Sequence, residues 1–149
     1  MKIRVLFICV HNSARSQMAA AWLKCLAPDH FEVDSAGLQP GSLNPLAVTV
    51  MGEAGIDISH NRPKSVLEVL GQNKKFDYVI TVCDESQAEN CPVFPGNVQR
   101  LHWSFPDPSR LIGTESEKIQ KTRVIRDKIK NAVADWIHGM NKNSFFRNI

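Results

Sequence analysis

The sequence of 149 residues lacks any apolar run that approaches the roughly 18 residues needed to cross a membrane. It also lacks a strong charge of one sign, because 18 Lys and Arg residues face 15 Asp and Glu residues, for a net charge of +3. Such a balance gives no reason to expect nucleic acid as a partner. Internal repeats and low-complexity segments are absent as well. We therefore expect one globular domain over residues 1–149, with no membrane or nucleic-acid partner.

The N-terminal segment is the one place where a secretion signal has to be considered. Its apolar run before Cys9 is short and leads directly into a polar loop, with no small-residue cleavage site after a long apolar stretch. We therefore expect a cytoplasmic protein. In that reducing compartment, four cysteines favour catalytic or metal-binding roles over structural disulfides.

Segments with strand patterns alternate with segments with helix patterns along the chain. The predicted strands are 2–8, 31–35, 76–82 and 98–103, and the predicted helices are 13–26, 45–52, 65–70 and 114–138. This alternation predicts right-handed βαβ units, and hence a three-layer α/β fold with a parallel sheet between helices. Residues 142–149 are expected to form a frayed tail.

Two of the predicted helices begin with capping signals. Asn44 precedes Pro45, which suits an N-cap residue followed by proline at the first helical position. Thr114 and Glu117 have the spacing of a capping box. The long helix after this box should pack through an apolar stripe. The stripe comprises Ile119, Val124, Ile125, Ile129, Val133, Trp136 and Ile137.

The loop between the first strand and the first helix reads Cys9-Val10-His11-Asn12-Ser13-Ala14-Arg15-Ser16. A strand-to-helix turn leaves the first N–H groups of the helix unpaired, and a curled loop can direct them at an oxyanion. Arg15 can add a bidentate fork on two of the oxygens. The same field stabilises a Cys9 thiolate, which would then lie beneath the bound oxyanion as a nucleophile. The plainer alternative is that Cys9 is a small buried hydrophobe.

Several other residues of this loop have predicted supporting roles. Asn12 tolerates a positive φ and should hold the loop's shape. Ser13 or Ser16 can donate a hydrogen bond to the sulfur, whereas the His11 side chain should point outward. The backbone expected to bind the oxyanion comprises Val10, His11, Asn12, Ser13, Ala14, Arg15 and Ser16.

Two more chemically capable segments follow predicted strands. Cys83 comes directly after the third strand, and Asp107 lies in a Pro-Asp-Pro loop after the fourth. Ligands of parallel α/β sheets bind at the carboxyl ends of the strands. We therefore expect Cys9, Cys83 and Asp107 to lie at the same edge of the sheet.

The loop from Cys9 to Ser16 resembles the phosphate-binding loop of low-molecular-weight protein tyrosine phosphatases, and Asp107-Pro108 resembles that family's general-acid loop. Order, spacing and strand–helix pattern match over essentially the whole chain. The resemblance implies a four-stranded parallel sheet of order 2-1-3-4. It also implies that Cys9 is the nucleophile, that Arg15 binds the oxyanion and that Asp107 is a candidate proton donor.

Cys83 and Cys91, which are separated by a largely polar segment of seven residues, resemble the further cysteines of thioredoxin-coupled arsenate reductases built on this fold. The resemblance implies that Cys9 attacks arsenate and that Cys83 displaces arsenite. Cys91 then attacks Cys83, which leaves a Cys83–Cys91 disulfide for thioredoxin to reduce. It implies no bound cofactor, only an external thiol reductant. Phosphate and sulfate would act as mimics of arsenate.

Three residues depart from the pattern of relatives. Ser109 stands where phosphatases of the family usually place an aromatic residue against the substrate ring, which argues against phosphotyrosine as substrate. Some reductases hold a potassium ion with a glutamate, but Ala20 occupies that position here. Lys64 stands where an acidic residue can occur. We therefore assign no metal site.

Other functions stay open at this point. A phosphomonoesterase or tyrosine phosphatase that works through a Cys9 phosphoenzyme would need only Cys9, Arg15 and Asp107. Cys83 and Cys91 could instead be structural, bind a metal or form a regulatory switch in an oxyanion-binding module, although zinc sites favour shorter cysteine spacings. Cys25, in the middle of a predicted helix, is expected to be a core or half-exposed packing residue.

Overall fold

Four parallel strands and four α-helices make up most of the chain that the computed structural model describes, residues 2–83, 94 and 96–141. In chain order the elements are β1 (Ile3–Cys9), α1 (Arg15–Leu26), β2 (Phe31–Gly37), α2 (Pro45–Glu53), α3 (Val66–Leu70), β3 (Tyr78–Thr81), β4 (Gln99–His102), a 3₁₀ helix (Pro108–Arg110) and α4 (Glu115–Asn141). All eight predicted strands and helices are confirmed, with bounds that differ by a few residues. The predicted tail, 142–149, lies outside the described residues.

The sheet has the order β2-β1-β3-β4, and all of its neighbouring strands are parallel. The α/β class and the strand order 2-1-3-4 are therefore confirmed. In the register, Cys9 pairs with Gly37 of β2, and Ile8 pairs with Thr81 of β3. The carboxyl ends of the three strands consequently meet at one edge, with the end of β1 in the middle.

Side chains of β1 alternate between two buried layers. Phe7 and Cys9 point into the larger layer, which contains α1, α2 and α4, whereas Leu6 and Ile8 point into the smaller one, which contains α3. Phe7 and Leu6 are completely buried, and burying a side chain of this size contributes about 1.5–3 kcal/mol. Helices therefore cover both faces of the sheet, and the central strand is fixed firmly enough to position the residues at its end.

The capping signals are confirmed at both helices. Thr114 Oγ1 accepts a hydrogen bond from the Glu117 N–H, and Glu117 Oε1 accepts one from the Thr114 N–H. The Asn44 side chain accepts from the Leu46 N–H at 2.8 Å and so caps α2. None of the helices in the described ranges combines the length and the apolar character needed to span a membrane.

One member of the predicted apolar stripe of α4 is wrong. Val124 is 48% exposed, although Ile125, Ile129 and Val133 are buried against the sheet. Successive residues of an α-helix differ by about 100° around the axis. Ile125 lies in the middle of the buried face, so Val124, the residue before it, lies at the margin of that face. Arg126, on the other side of Ile125, is half-buried and bonds the Val50 carbonyl of α2.

Candidate active site at the carboxyl end of β1

The nucleophile loop, residues 9–16, is held from outside by the segment that follows β2. Four of its carbonyls accept hydrogen bonds from backbone N–H groups of residues 38–44. These bonds run from Leu38 to Cys9 (3.2 Å), from Gln39 to Val10 (2.7 Å), from Gly41 to His11 (2.9 Å) and from Asn44 to Ser13 (2.9 Å). The Asn12 carbonyl accepts from Gln17 Nε2, and the Ala14 carbonyl accepts from Met18 within α1. Because the carbonyls face outward, the N–H groups of the loop are left to face inward, as an oxyanion nest requires.

A close approach of backbones makes this arrangement possible. A Cβ atom on Gly37 would lie 2.7 Å from the Asn12 nitrogen and 2.8 Å from the His11 carbonyl carbon. Glycine is therefore required at the end of β2, where the loop passes over it. Asn12 has φ of 52°, which confirms the predicted left-handed conformation. The N-cap of α1 is Ala14, whose side chain has no hydrogen-bonding group. No N-cap side chain therefore occupies the first N–H groups of the helix, and the helix dipole favours an anion there.

The Cys9 sulfur receives two close polar contacts from the loop and from α1. The Asn12 N–H donates to it at 3.2 Å, and the Ser16 hydroxyl lies 2.9 Å from it. Cys9 itself is 2% exposed. Of the two serines predicted to assist the sulfur, the structure places Ser16 in contact with it. Donors to sulfur favour the thiolate over the thiol, and the thiolate is the nucleophilic form.

Arg15 connects the nucleophile loop to the segment between β4 and α4. Its side chain is 4% exposed, and Nη1 donates to the Phe105 carbonyl at 3.1 Å. Nη2 lies 3.5 Å from Oδ2 of Asp107. The guanidinium is thereby held in one orientation, and the structure brings Asp107 to the nucleophile loop as the sequence predicted.

Asp107 caps the 3₁₀ helix with its own side chain. Oδ1 accepts hydrogen bonds from the backbone N–H and the hydroxyl of Ser109, while Oδ2 faces Arg15. Burial by itself would raise the pKa of Asp107. The two hydrogen bonds from Ser109, with the charges of Arg15 and Arg110, outweigh it and hold the pKa of this carboxyl below its ordinary value. Asp107 is therefore ionised at neutral pH in the unliganded protein.

Cys83 follows β3 and is completely buried. It belongs to the same buried cluster as Cys9, and the Val82 N–H before it donates to the Ile8 carbonyl of β1 at 2.8 Å. The two thiols thus end neighbouring strands, as expected. Cys91 lies outside the described residues. Cys25, which was expected to be a core or half-exposed packing residue, is exposed in the last turn of α1.

The His11 side chain points outward, as predicted. It is exposed, and Nδ1 donates to the Gln39 carbonyl at 2.9 Å, where it fixes the segment after β2. Sequence reasoning missed two buried supports of the loop, Phe105 beneath Arg15 and Gln17 beneath Asn12. A glutamine in the first turn of a helix, beside a loop asparagine, is a weak signal that could have pointed to Gln17.

Comparisons with known proteins agree on one family. Residues 4–145 match the family described as low molecular weight phosphotyrosine protein phosphatase. An arsenate reductase of Bacillus subtilis is 42% identical over 132 residues, which cover 89% of this chain and 93% of that protein.

Solved structures of arsenate reductases also resemble this chain. A thioredoxin-dependent arsenate reductase of Corynebacterium glutamicum superimposes with a TM-score of 0.70 at 33% identity. The match covers 94% of this chain but only 62% of that one. A structure described as an arsenate reductase in the phosphate binding state gives a TM-score of 0.68 at 31% identity, with 93% and 98% of the two chains covered.

Proposed function

This chain belongs to the low molecular weight phosphotyrosine protein phosphatase family of enzymes, and from that premise we propose that it is an arsenate reductase that uses Cys9 as its nucleophile. The observation that carries the proposal is the pair of buried thiols, Cys9 and Cys83, which end adjacent strands and pack in one cluster. A phosphatase needs only the first of them. The second supplies the electrons that a reductase needs.

Arsenate binds in the nucleophile loop. The inward-facing N–H groups of residues 10–16 donate to its oxygens, and Arg15 adds two charge-assisted hydrogen bonds. Phosphate and sulfate, which have the same tetrahedral shape, would occupy the same place as mimics. The bound anion competes with Asp107 for the Arg15 guanidinium.

In the first chemical step the Cys9 thiolate attacks arsenic. A sulfur–arsenic bond forms, one arsenic–oxygen bond breaks, and the oxygen leaves as water. Dihydrogen arsenate already carries both protons of that water. The step therefore needs no proton from Asp107, whose pKa is held below its ordinary value in the unliganded protein. We assign Asp107 the role of holding Arg15.

In the second step the Cys83 thiolate attacks the Cys9 sulfur. A disulfide forms, the sulfur–arsenic bond breaks, and its electron pair stays on arsenic, which is reduced from As(V) to As(III) and leaves as arsenite. Cys91 then attacks Cys83 and frees Cys9 for another cycle. Because Cys83 is completely buried, it must move to the surface before an external reductant can reach the final disulfide.

Thioredoxin is the proposed reductant, and the cytoplasm, where thiols are kept reduced, is the proposed compartment. No resident cofactor enters the reaction. The residues around Ala20 do not fit a potassium ion. Ala20 offers no side-chain oxygen, and the Lys64 ammonium is paired there with the Asp34 carboxylate. A second cation would meet a positive charge at that position.

Slow phosphate ester hydrolysis is a second candidate activity, since Cys9 and Arg15 would act in the same way on phosphate. An alkoxide or phenolate leaving group needs a proton from the enzyme, and Asp107 is ionised in the unliganded protein, so it would first have to gain one. We therefore expect residual hydrolysis that survives substitution of Cys83.

Peptide mass mapping tests the proposed cascade. Reduced protein treated with arsenate should contain a Cys83–Cys91 disulfide and release one arsenite per chain. Cys91→Ser should stop at a Cys9–Cys83 disulfide, whereas Cys25→Ser, at the exposed cysteine, should behave as the unmodified protein. Full turnover of Cys91→Ser with thioredoxin as the sole reductant would contradict the cascade.

A further inference from the structure

A continuous chain of side-chain hydrogen bonds runs from the protein surface to the nucleophilic sulfur. It passes through Asn61, Gln17, Asn12, Ser16 and Cys9. The links are Asn61 Nδ2 to Gln17 Oε1 (3.0 Å), Gln17 Nε2 to the Asn12 carbonyl (3.1 Å) and to Asn12 Oδ1 (3.2 Å), Asn12 Nδ2 to Ser16 Oγ (2.8 Å), and Ser16 Oγ to Cys9 Sγ (2.9 Å). Only Asn61 is exposed, since the other four residues are at most 3% exposed.

Two backbone groups fix the direction of every donor in this chain. The Lys64 N–H can only donate, and it faces the Asn12 side chain at 3.1 Å, so the oxygen Oδ1 must lie there. The Asn12 amide nitrogen must then face Ser16. The Asn12 carbonyl can only accept, so Gln17 must turn its nitrogen toward it and its oxygen toward Asn61. Amide orientations, which are otherwise ambiguous, are settled by such fixed partners.

This direction leaves the Ser16 hydrogen available to the sulfur. The Ser16 oxygen accepts from Asn12 Nδ2, and a Cys9 thiolate has no proton to donate, so the hydroxyl must donate to it. The thiolate then receives two donated hydrogen bonds, from Ser16 and from the Asn12 N–H. Donors in these places suit the thiolate, which is the nucleophilic form of cysteine.

We propose that Gln17 and Asn61 are positioning residues for the nucleophile. Gln17 holds both oxygens of Asn12 and thereby keeps this residue in its left-handed conformation, and Asn61 keeps the Gln17 amide in the orientation that this requires. Both residues act through Asn12 and Ser16 and lie outside the loop 9–16 that is proposed to bind the substrate. The inference rests on the proposed function only in taking Cys9 as the nucleophile.

Gln17 is buried and Asn61 is exposed, and this difference guides the choice of variants. Both line a cavity of about 430 Å³, and Lys24 and Cys25 also line it. Water in such a cavity could replace an Asn61 amide that had been truncated. Asn61→Asp is more informative, because it keeps the size but replaces the donor to Gln17 by an acceptor. Gln17→Met keeps the volume and removes the donor to Asn12.

The test measures the rate at which iodoacetamide alkylates Cys9 at pH 6 and at pH 9.5, followed by peptide mass mapping in a Cys25→Ser background. Gln17→Met should lower the rate at pH 6 about tenfold and the rate at pH 9.5 less than about twofold, since the thiolate is the reactive form. Lys24→Met, at another residue that lines this cavity, is the matched control and should leave both rates unchanged.

Asn61→Asp should change the ratio of the two rates in the same direction. Because Asn61 is exposed, this variant should fold. It therefore tests the positioning role even if Gln17→Met does not fold. The assay in about 0.5 M salt screens the added charge and leaves the hydrogen-bond effect. An unchanged ratio in folded Gln17→Met or in Asn61→Asp, even with a lowered melting temperature, would overturn the inference.

The alkylation assay contains no arsenate. A changed ratio in a protein that fails to reduce arsenate would therefore leave the positioning role standing and count against the proposed function alone. In the reductase assay, Gln17→Met should lower kcat at pH 6 more than at pH 8, with KM for arsenate changed less than kcat.

Discussion

Ser109 donates two hydrogen bonds to one carboxylate oxygen of Asp107, from its backbone N–H at 2.9 Å and from its hydroxyl at 2.8 Å. In the sequence, Ser109 was used only to argue against phosphotyrosine as substrate, because it replaces an aromatic residue. In the structure it has a positive role, because it keeps Asp107 ionised and turned toward Arg15. A residue that would serve a phosphatase poorly thus supports the oxyanion site.

Ser109→Ala should raise the pKa of Asp107 toward its ordinary value, because one of the two hydrogen bonds to the carboxylate is lost. A carboxyl whose pKa is lowered on folding stabilises the folded state above its unfolded pKa of about 3.9, and this contribution is lost as the pH falls through the lower value. In the variant this contribution should be smaller, and its loss, which still begins near the unfolded pKa, should be complete at a higher pH. NMR titration of the Asp107 carboxyl carbon and acid unfolding measure the two effects.

Ser59→Ala provides a matched control for this prediction. Ser59 makes the same two bonds to Asp57, at 2.8 Å and 2.6 Å, on an exposed turn, and no ion pair between Asp57 and Arg15 is found among the described residues. The pKa of Asp57 should rise in that variant, with no change at Asp107. If Ser109→Ala left the titration of Asp107 where it was, the role given to Ser109 would be wrong.

Gly37→Ala should disturb the nucleophile loop. The added Cβ would lie 2.7 Å from the Asn12 nitrogen, so the loop would have to move. Overpacking of this kind costs about 1–3 kcal/mol, which chemical denaturation can measure. Gly52→Ala, in α2, meets no atom within 4 Å and should instead stabilise the protein by about 0.5–1 kcal/mol. Equal effects of the two substitutions would contradict the close approach.

Arg15→Lys should weaken phosphate binding strongly although the charge is kept. Lysine cannot supply the fork to two oxygens, and it cannot also reach the Phe105 carbonyl in the same geometry. Hydrogen bonds to charged groups contribute about 1.5–3 kcal/mol, which corresponds to a loss of roughly 10- to 150-fold in affinity. Isothermal titration calorimetry with phosphate gives the ratio, and Arg110→Lys, on the exposed side of Asp107, is the control.

The fold followed from the sequence because its elements depend on local patterns. The apolar run of β1, the Asn44-Pro45 start of α2 and the Thr114–Glu117 box each contain their own signal, and each was confirmed. Val124 was misplaced because a periodic stripe does not show how wide the buried face is. The same limit applied to Cys25, which was expected to be a core or half-exposed residue and is exposed.

The site was predictable only in part. The spacing of Cys9 and Arg15 and the position of Asp107 could be read from the chain, and the structure brings Arg15 and Asp107 together. The support from residues 38–44 and from Gln17 depends on hydrogen bonds between distant segments. No local pattern encodes these contacts, because they exist only once β1 and β2 have paired in register.

The most direct test of the reductase mechanism is arsenate-dependent oxidation of NADPH with thioredoxin and thioredoxin reductase supplied, compared between the unmodified protein and Cys83→Ser. We predict sustained oxidation with the unmodified protein and with Cys25→Ser. With Cys83→Ser we predict none, although phosphate binding is retained. Sustained oxidation by Cys83→Ser, or none by the unmodified protein, would contradict the account.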